Sequence, residues 1–238
     1  MRRAEKAERI GQILDDLYPE PTPALDHTDA YTLLVAVALS AQTTDKKVNE
    51  VTPALFAEAS TPEEMYELGP ERIRELIREI GLAPTKARNL WTAAGQIIDA
   101  GGEVIPDWDF LESLAGVGHK TASVVMAQGF NIPAFPVDTH IYRLARRWGL
   151  STGTTVEKVE EDLKKVFPKD TWIRRHLQII YFGREYCPAR GHDLAACPIC
   201  SFAATKKQML AEARANRGRP RAKRGPDDVV PASARRRS

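Results

Sequence analysis

The sequence predicts an all-α protein. Apolar residues recur in several segments at intervals of three and four, which places them on one face of a helix. These residues are Ile10, Ile13, Leu14 and Leu17; Leu33, Leu34, Val37 and Ala38; and Ile73, Leu76, Ile77 and Ile80. No segment shows convincing strand-like alternation, and the connections between periodic segments are mostly short, which favours a compact helical domain.

Residues that begin or end helices separate these segments in chain order. Three prolines, Pro19, Pro21 and Pro23, end the first helix because proline cannot continue a helical hydrogen-bond ladder. Thr61–Glu64 reads Thr-Pro-Glu-Glu and predicts a helix start. We expect Gly81 to cap the end of a helix and Gly101–Gly102 to close the next one.

A turn with two glycines separates the next pair of helices. A short helix is predicted over Asp107–Leu114, followed by Ala115-Gly116-Val117-Gly118, and another helix begins near His119 and Lys120. Glycines lack a Cβ and adopt positive φ, so their amides can approach a phosphate at a helix N-terminus. An ordinary helix-helix turn explains the glycines alone, but the flanking helices and Lys120 favour a helix-hairpin-helix unit that contacts DNA.

Composition limits the class of protein. A chain of 238 residues with 43% apolar residues can bury one large domain or two small ones that share a cleft. Its apolar segments are too short to cross a bilayer, and the charged N-terminus lacks the apolar stretch of a signal peptide. We therefore expect a cytoplasmic protein, nucleoid-associated if bacterial, with no membrane partner.

Charge is distributed unevenly along the chain. Residues 206–238 contain eleven Lys/Arg and three Asp/Glu, which leaves 23 basic and 29 acidic residues in the preceding body. A tail of about +8 on a body of about −6 suggests a salt-sensitive attraction to a polyanion, and residues 210–238 have the composition of a disordered basic tail.

Cysteine usage indicates a metal site. The chain contains three cysteines, Cys187, Cys197 and Cys200, all within fourteen residues. An odd, clustered set in a cytoplasmic protein favours metal binding over disulfides.

Several segments occur together in a collinear order. They are SAQTTD at Ser40–Asp45, IGLAPTKA at Ile80–Ala87, LAGVGHKTA at Leu114–Ala122, FPVDTHIYRLARRWGL at Phe135–Leu150, and the late cysteines. Together they resemble the endonuclease III family of helix-hairpin-helix DNA glycosylases, which removes oxidised pyrimidines. The similarity extends from about Ile10 to Cys200.

The resemblance implies two helical domains that flank a DNA-binding cleft. The first would be a six-helix domain over 21–131 that contains the helix-hairpin-helix. The second would combine residues 1–20 with 132–209 and include the cysteine-rich segment. Lys120 and Asp138 would then face each other across the cleft, and we expect a monomer whose partner is duplex DNA with damaged pyrimidines or abasic sites.

The resemblance also assigns chemistry to Lys120 and Asp138. A lysine amine attacks carbon only when neutral, so its pKa must fall from about 10.4, and partial burial in the cleft and a helix N-terminus both lower it. The neutral amine of Lys120 would displace the base, form a Schiff base and cleave the strand by β-elimination. Asp138 would stabilise positive charge on the sugar, and it is also expected to cap the helix that follows it. Without the resemblance, Lys120 would be read as a phosphate contact or a solvated lysine.

Access to a base in a duplex requires its extrusion and a side chain to fill the gap. By resemblance Gln42 is the inserted side chain and Leu82 is the wedge on the opposite strand, although Gln42 could instead cap a helix and Leu82 could belong to the core. Further DNA contacts are expected from Gly116, Val117, Gly118 and His119 of the hairpin, and from His140, to which we assign no catalysis.

The cysteine spacing departs from that of the family. The family holds a [4Fe–4S] cluster with a C-x6-C-x2-C-x5-C pattern, whereas nine residues follow Cys187 here and the last position is Lys206. Either His192 or Asp193 supplies the fourth ligand of a cluster, or Zn²⁺ is bound by the three cysteines and His192, or the metal has been lost. Of these, a cluster is our expectation.

Two other functions remain open. An adenine-specific mismatch glycosylase shares the hairpin and the aspartate but ordinarily lacks the lysine and carries a further domain. A non-catalytic or weakly active DNA-binding module would keep the hairpin and use Lys120 as a phosphate contact. The altered cysteines, and Ala115 where the family commonly has proline, keep this second alternative open.

Overall fold

The computed structural model describes residues 1–205 together with 210 and 214, and these residues form helices and connecting turns without strands, which confirms the all-α prediction. The helices are α1 (Arg3–Leu17), α2 (Ala30–Leu39), α3 (Asp45–Glu58), α4 (Pro62–Leu76), α5 (Ala83–Asp99), α6 (Trp108–Ser113), α7 (His119–Val124), α8 (Thr139–Arg147), α9 (Val156–Val166), α10 (Trp172–Glu185) and α11 (Cys200–Ala203). A π-helical turn (Val125–Gly129) continues α7, and a 3₁₀ turn (Lys169–Thr171) precedes α10. None of the helices in the described part is long and apolar enough to cross a membrane. Apart from residues 210 and 214, the predicted basic tail lies outside the described residues.

Most helix ends fall where the capping residues predict them. Helix α1 ends before Pro19, and Thr61 caps α4 by accepting a hydrogen bond from the Glu64 amide while the Glu64 side chain bonds back to the Thr61 amide. Gly101 and Gly102 follow α5 with positive φ, as the prediction for that helix end requires.

The predicted role of Gly81 is wrong. Helix α4 already ends at Leu76, and Ile77 is its C-cap. The chain then makes a turn in which the Ile80 amide bonds to the Ile77 carbonyl, and this turn leads to Leu82 in the left-handed region. Helix α4 is also kinked at Gly69, which has a φ of 76° and is followed by Pro70.

The chain divides into two compact units. Unit 1 comprises Met1–Thr22 and the chain from Phe135 onward, and unit 2 is Pro23–Ala134. The boundaries lie two to three residues from the positions 20/21 and 131/132 that the sequence suggests.

A buried arginine joins the two chain segments that make up unit 1. The Arg175 guanidinium on α10 donates to the Gly11 carbonyl of α1 at 2.9 Å and to the Asp15 carboxylate at 3.1 Å. The neighbouring Gln178 donates to the Tyr18 carbonyl at 2.8 Å. Because Arg175 and Gln178 are buried and bonded to the N-terminal segment, the N-terminal helix is an integral part of unit 1.

Two apolar contacts illustrate how the helices of unit 2 pack. Helix α2 is almost entirely apolar and buried, and its Leu33 and Val37 form a cluster with Val124 at the end of α7. Tyr66 on α4 stacks on Trp91 of α5 with ring centroids 5.0 Å apart. Helix α5 is thereby fixed against α4.

Candidate nucleic-acid interface and metal centre

The glycine hairpin is a tight turn between α6 and α7. The Val117 amide donates to the Leu114 carbonyl at 3.0 Å, and Gly116 has a φ of 78°. A Cβ on Gly116 would lie 2.7 Å from Nδ2 of Asn89, so this position requires glycine for both its backbone and its neighbour. Gly118 is exposed, and no atom lies within 4 Å of the position that its Cβ would take.

Helix α5 holds the hairpin in place. The Gln96 side chain donates to the Ser113 carbonyl at 3.0 Å and accepts from the Ala115 amide at 2.8 Å. These bonds satisfy the backbone on the inner side of the turn. The N-terminus of α7 follows the turn directly, and the dipole of a helix favours an anion at this end.

Lys120 lies in the first turn of α7, directly after the hairpin, and its side chain is exposed. The expected partial burial is therefore wrong for the protein without DNA. The reason is that burial in α7 begins only at Ala122 and continues through Ser123 and Val124, whereas Lys120 lies at the exposed N-terminal end of the helix.

His119 is anchored beside Lys120. Its Nδ1 lies 2.7 Å from a carboxylate oxygen of Glu112, and its ring stacks on Trp108 with centroids 5.5 Å apart. Both partners belong to α6. The hairpin is thus closed by side-chain contacts between the two helices as well as by its backbone.

Gln42 and Leu82 are exposed and adopt positive φ. Gln42, between α2 and α3, has a φ of 58°, and Leu82, at the start of α5, has a φ of 63°. Thr44 rather than Gln42 caps α3, and Leu82 is 60% exposed, so neither the cap nor the core interpretation holds. Residues other than glycine have a strained backbone in this region of φ, and such strain is typical of functional sites.

A buried lysine that the sequence argument overlooked connects these two segments. Nζ of Lys86 on α5 donates to the carbonyls of Leu39 and Ala41 at 2.8 and 2.7 Å, and it lies 3.3 Å from the Thr43 hydroxyl. Burial lowers the pKa of Lys86 from its ordinary value, while the acceptors at the C-terminus of α2 favour its charged form. Lys86 occurs in the IGLAPTKA motif, and that location is the one signal that could have identified it.

Asp138 caps α8, as predicted, by accepting a hydrogen bond from the Ile141 amide at 2.7 Å, and it is half-buried. The first turn of α8 contains His140, whose Nδ1 lies 3.3 Å from Nη2 of Arg143. Burial lowers the pKa of His140 despite the nearby Asp138 carboxylate, so its imidazole is neutral at pH 7.

Three cysteines and a histidine form a buried group in unit 1. Cys187, His192, Cys197 and Cys200 place one ligand atom each within 4.8 Å of one another. Asp193, the other suggested ligand, instead accepts hydrogen bonds from the amides of Ala195 and Ala196. Residue 206, the expected last position of the family pattern, lies outside the described residues.

Comparison with known proteins places this arrangement in a family. Residues 35–169 match the family described as HhH-GPD superfamily base excision DNA repair protein. An endonuclease III from Treponema pallidum (strain Nichols) is 48% identical over 180 residues, which cover 75% of this chain and 85% of the relative.

Two solved structures are similar over most of the chain. A non-covalent endonuclease III–DNA complex has a TM-score of 0.84 and 36% identity, and the match covers 90% of this chain and 100% of the other. A trapped endonuclease III–DNA covalent intermediate has a TM-score of 0.80 and 38% identity, with coverage of 84% and 94%.

Proposed function

Because this chain belongs to the endonuclease III family of HhH-GPD base excision DNA repair proteins, we propose that it removes oxidised pyrimidines from duplex DNA and then cleaves the strand at the abasic site. The observation that carries the proposal is Lys120, an accessible amine in the first turn after the glycine hairpin. The covalent DNA intermediate of a structurally similar chain supports a covalent mechanism. A DNA substrate also favours the cytoplasm as the location, with association to the nucleoid if the organism is bacterial.

Lys120 is the nucleophile in this proposal. Its neutral amine adds to C1′ of the extruded nucleotide as the base leaves, and opening of the sugar ring gives a Schiff base. Loss of a C2′ proton then expels the 3′ phosphate by β-elimination. Since the amine is exposed in the free protein, bound DNA supplies the exclusion of water from it.

Asp138 supplies the carboxylate. Its cap bond to the Ile141 amide uses one oxygen, Oδ1, and holds the side chain in a fixed orientation. A fixed carboxylate stabilises the positive charge that develops on deoxyribose as the base departs, and it assists proton transfer during imine formation.

Gln42 and Leu82 open the duplex. Extrusion of a nucleotide costs a few kcal/mol of stacking and pairing, which side chains inserted into the gap partly offset. The exposure and positive φ of both residues support this role, because a folded protein does not gain from either feature. The hairpin amides meanwhile hold a phosphate, with Gly116 and Gly118 allowing close backbone approach.

Trapping with borohydride tests the nucleophile. Wild-type protein incubated with a thymine glycol duplex or an abasic duplex should form a reduced covalent adduct, and Lys120→Ala should form none. Lys46→Ala, which removes an exposed lysine of the same unit, is the matched control and should behave as wild type. An adduct that persists in Lys120→Ala refutes the assignment. Tight binding without any adduct identifies a non-catalytic module, and adenine release from mismatched duplex identifies a mismatch glycosylase.

The substitution Asp138→Asn separates the two roles of this side chain. Asparagine caps helices about as well as aspartate, so the variant should unfold at nearly the wild-type temperature. Base excision under single-turnover conditions should fall by about a hundredfold or more, since the lost charge acts in the transition state. A variant with wild-type excision rates would reduce Asp138 to a helix cap.

We further propose that the Cys187, His192, Cys197 and Cys200 group binds a metal centre that stabilises unit 1. The resemblance suggests a [4Fe–4S] cluster, and a single Zn²⁺ ion is the other candidate. Neither Lys120 nor Asp138 belongs to the group, so no step of base removal passes through the metal.

A further inference from the structure

The ligand atoms of the buried cysteine and histidine group lie close together. Sγ of Cys187 is 3.3 Å from Nε2 of His192 and 3.6 Å from Sγ of Cys200, and all four ligand atoms lie within 4.8 Å of one another. All four residues are buried. Their side chains thus converge on one point inside unit 1.

Local structure produces this convergence. Cys187 follows α10, where its amide bonds to the Phe182 carbonyl at 3.0 Å. Cys197 and Cys200 are one turn apart at the start of α11, and the Cys200 amide points to Sγ of Cys197 at 3.5 Å. Asp193 folds the segment between His192 and Cys197 by accepting two backbone hydrogen bonds. The resulting order is C-x4-H-x4-C-x2-C.

The separations are closer to those around one metal ion than to those around a cluster. With Zn–S bonds of about 2.3 Å and Zn–N bonds of about 2.0 Å, tetrahedral ligand atoms lie about 3.5 to 3.8 Å apart. In a [4Fe–4S] cluster each ligand binds a different iron, so the width of the cluster separates the ligand atoms to roughly 6 Å. Even the longest separation here, 4.8 Å, falls short of that value.

The donor set and its surroundings also suit zinc. Three thiolates and one imidazole form a closed Cys₃His set, which is common in structural zinc sites. Bound Zn²⁺ would leave one net negative charge, and Nη1 of Arg147 offsets it by donating to Sγ of Cys187 at 3.1 Å. The same guanidinium group also donates to the Pro188 carbonyl at 3.0 Å, which fixes its position.

We propose that this chain holds one Zn²⁺ ion on Cys187, His192, Cys197 and Cys200, where the family resemblance implies an iron–sulfur cluster. The three cysteines belong to the apolar core of unit 1, together with Leu194 and Ile199. Zinc binding therefore stabilises the fold of unit 1 and has no part in base removal. The proposal does not depend on glycosylase activity.

Metal analysis of the full-length chain tests the proposal directly. Freshly purified protein should contain one zinc per chain, no stoichiometric iron, and no absorbance band at about 400 nm. After zinc is removed with a chelator, Co²⁺ should bind with the visible spectrum of tetrahedral thiolate coordination. About four iron atoms per chain with the band at about 400 nm, or the absence of any bound metal, would overturn the proposal.

Variants identify the ligand. His192→Ala should lose tight Co²⁺ binding, whereas His192→Cys should keep one metal ion because it restores a closed set of four donors. Asp193→Asn is the matched control, since it keeps the turn and changes no ligand, and its metal content should equal that of wild type. If His192→Ala fails to fold, the Co²⁺ spectrum of His192→Cys still shows whether residue 192 is a ligand. Replacement of a coordinating imidazole by a thiolate must shift that spectrum. An unchanged spectrum, or unchanged Co²⁺ affinity in folded His192→Ala, would exclude His192 as a ligand.

Discussion

Strain at single residues marks the surface of unit 2 that we assign to DNA. Among the described residues other than glycine, positive φ occurs at Gln42, Leu82 and Asn131, and two of these three are the side chains assigned to duplex insertion. A strained backbone persists only where its surroundings hold it. For Gln42 and Leu82 a shared element of those surroundings is Lys86, which follows Leu82 by one helical turn and binds the Ala41 carbonyl beside Gln42.

Loss of the Lys86 ammonium should therefore release both insertion segments. We expect Lys86→Met to lower the free energy of unfolding by about 2 to 3 kcal/mol, because two carbonyls lose a charged donor. Excision from a thymine glycol duplex should also slow in single-turnover experiments. Lys47→Met is the control: it removes the same charge from a more exposed lysine paired with Glu50 and Glu79, and should leave the unfolding temperature nearly unchanged. If the two variants show equal excision rates, Lys86 does not position the insertion segments.

The sequence could indicate Lys120 but not Lys86, for a physical reason. Lys120 closely follows the glycine turn, so the local sequence motif is enough to identify it as a candidate site residue. The partners of Lys86 are more than 40 residues away, and only the packing of α5 against the end of α2 brings them together. The exposure of Lys120 likewise depends on how much of the N-terminal end of α7 its surroundings leave open, which the sequence of a six-residue helix does not show.

At the scale of elements, α5 organises unit 2. Its first turns carry Lys86, its middle places Asn89 against Gly116, and its later part uses Gln96 to hold the hairpin backbone. One helix thus contacts the hairpin and both insertion segments. A rigid helix that holds several binding groups keeps the distances between them fixed, as binding to a regular ligand such as duplex DNA requires.

The two hairpin glycines allow a test of close backbone approach. Gly116→Ala would place a methyl group 2.7 Å from Nδ2 of Asn89 at a φ of 78°, so we expect a loss of about 1 to 3 kcal/mol in stability together with weaker DNA binding. In Gly118→Ala the methyl group meets no atom within 4 Å in the free protein. That variant should unfold at the wild-type temperature yet bind an abasic-analogue duplex less tightly, as measured by fluorescence anisotropy. Wild-type affinity of Gly118→Ala would show that the hairpin does not contact the phosphate closely.

Helix boundaries were predictable where a capping side chain defines them. Thr61 and Asp107 cap α4 and α6 at the predicted positions, because each cap depends on residues only three apart. Gly81 was misassigned because the apolar spacing continues to Ile80 after the helix itself has ended at Leu76. In this segment the apolar residues are buried through a turn, and periodicity alone does not distinguish a turn of this kind from a further helical turn.

For the molecule as a whole, charge is unevenly distributed along the chain. The body up to residue 205 has 23 basic and 29 acidic residues, whereas residues 206–238 carry about +8. The negative net charge of the body repels DNA at long range. The groups that recognise the lesion therefore act only after the protein has come close to DNA. The basic segment provides the opposite force, without sequence preference.

Neutralising the end of the chain should therefore weaken attachment without changing chemistry. Residues 217–237 contain eight Lys/Arg, and changing all of them to Gln should make the plot of log affinity against log salt for undamaged duplex less steep. The change in slope should be about 2 to 4 if three or four of these residues contact phosphates, and at most about 7 if all do. A variant with the same residues in scrambled order keeps the charge and should retain the wild-type slope. At saturating protein the single-turnover excision rate should stay unchanged in both variants, because Lys120 and Asp138 are intact. Equal slopes for the neutral and wild-type proteins would show that the basic segment does not contact DNA.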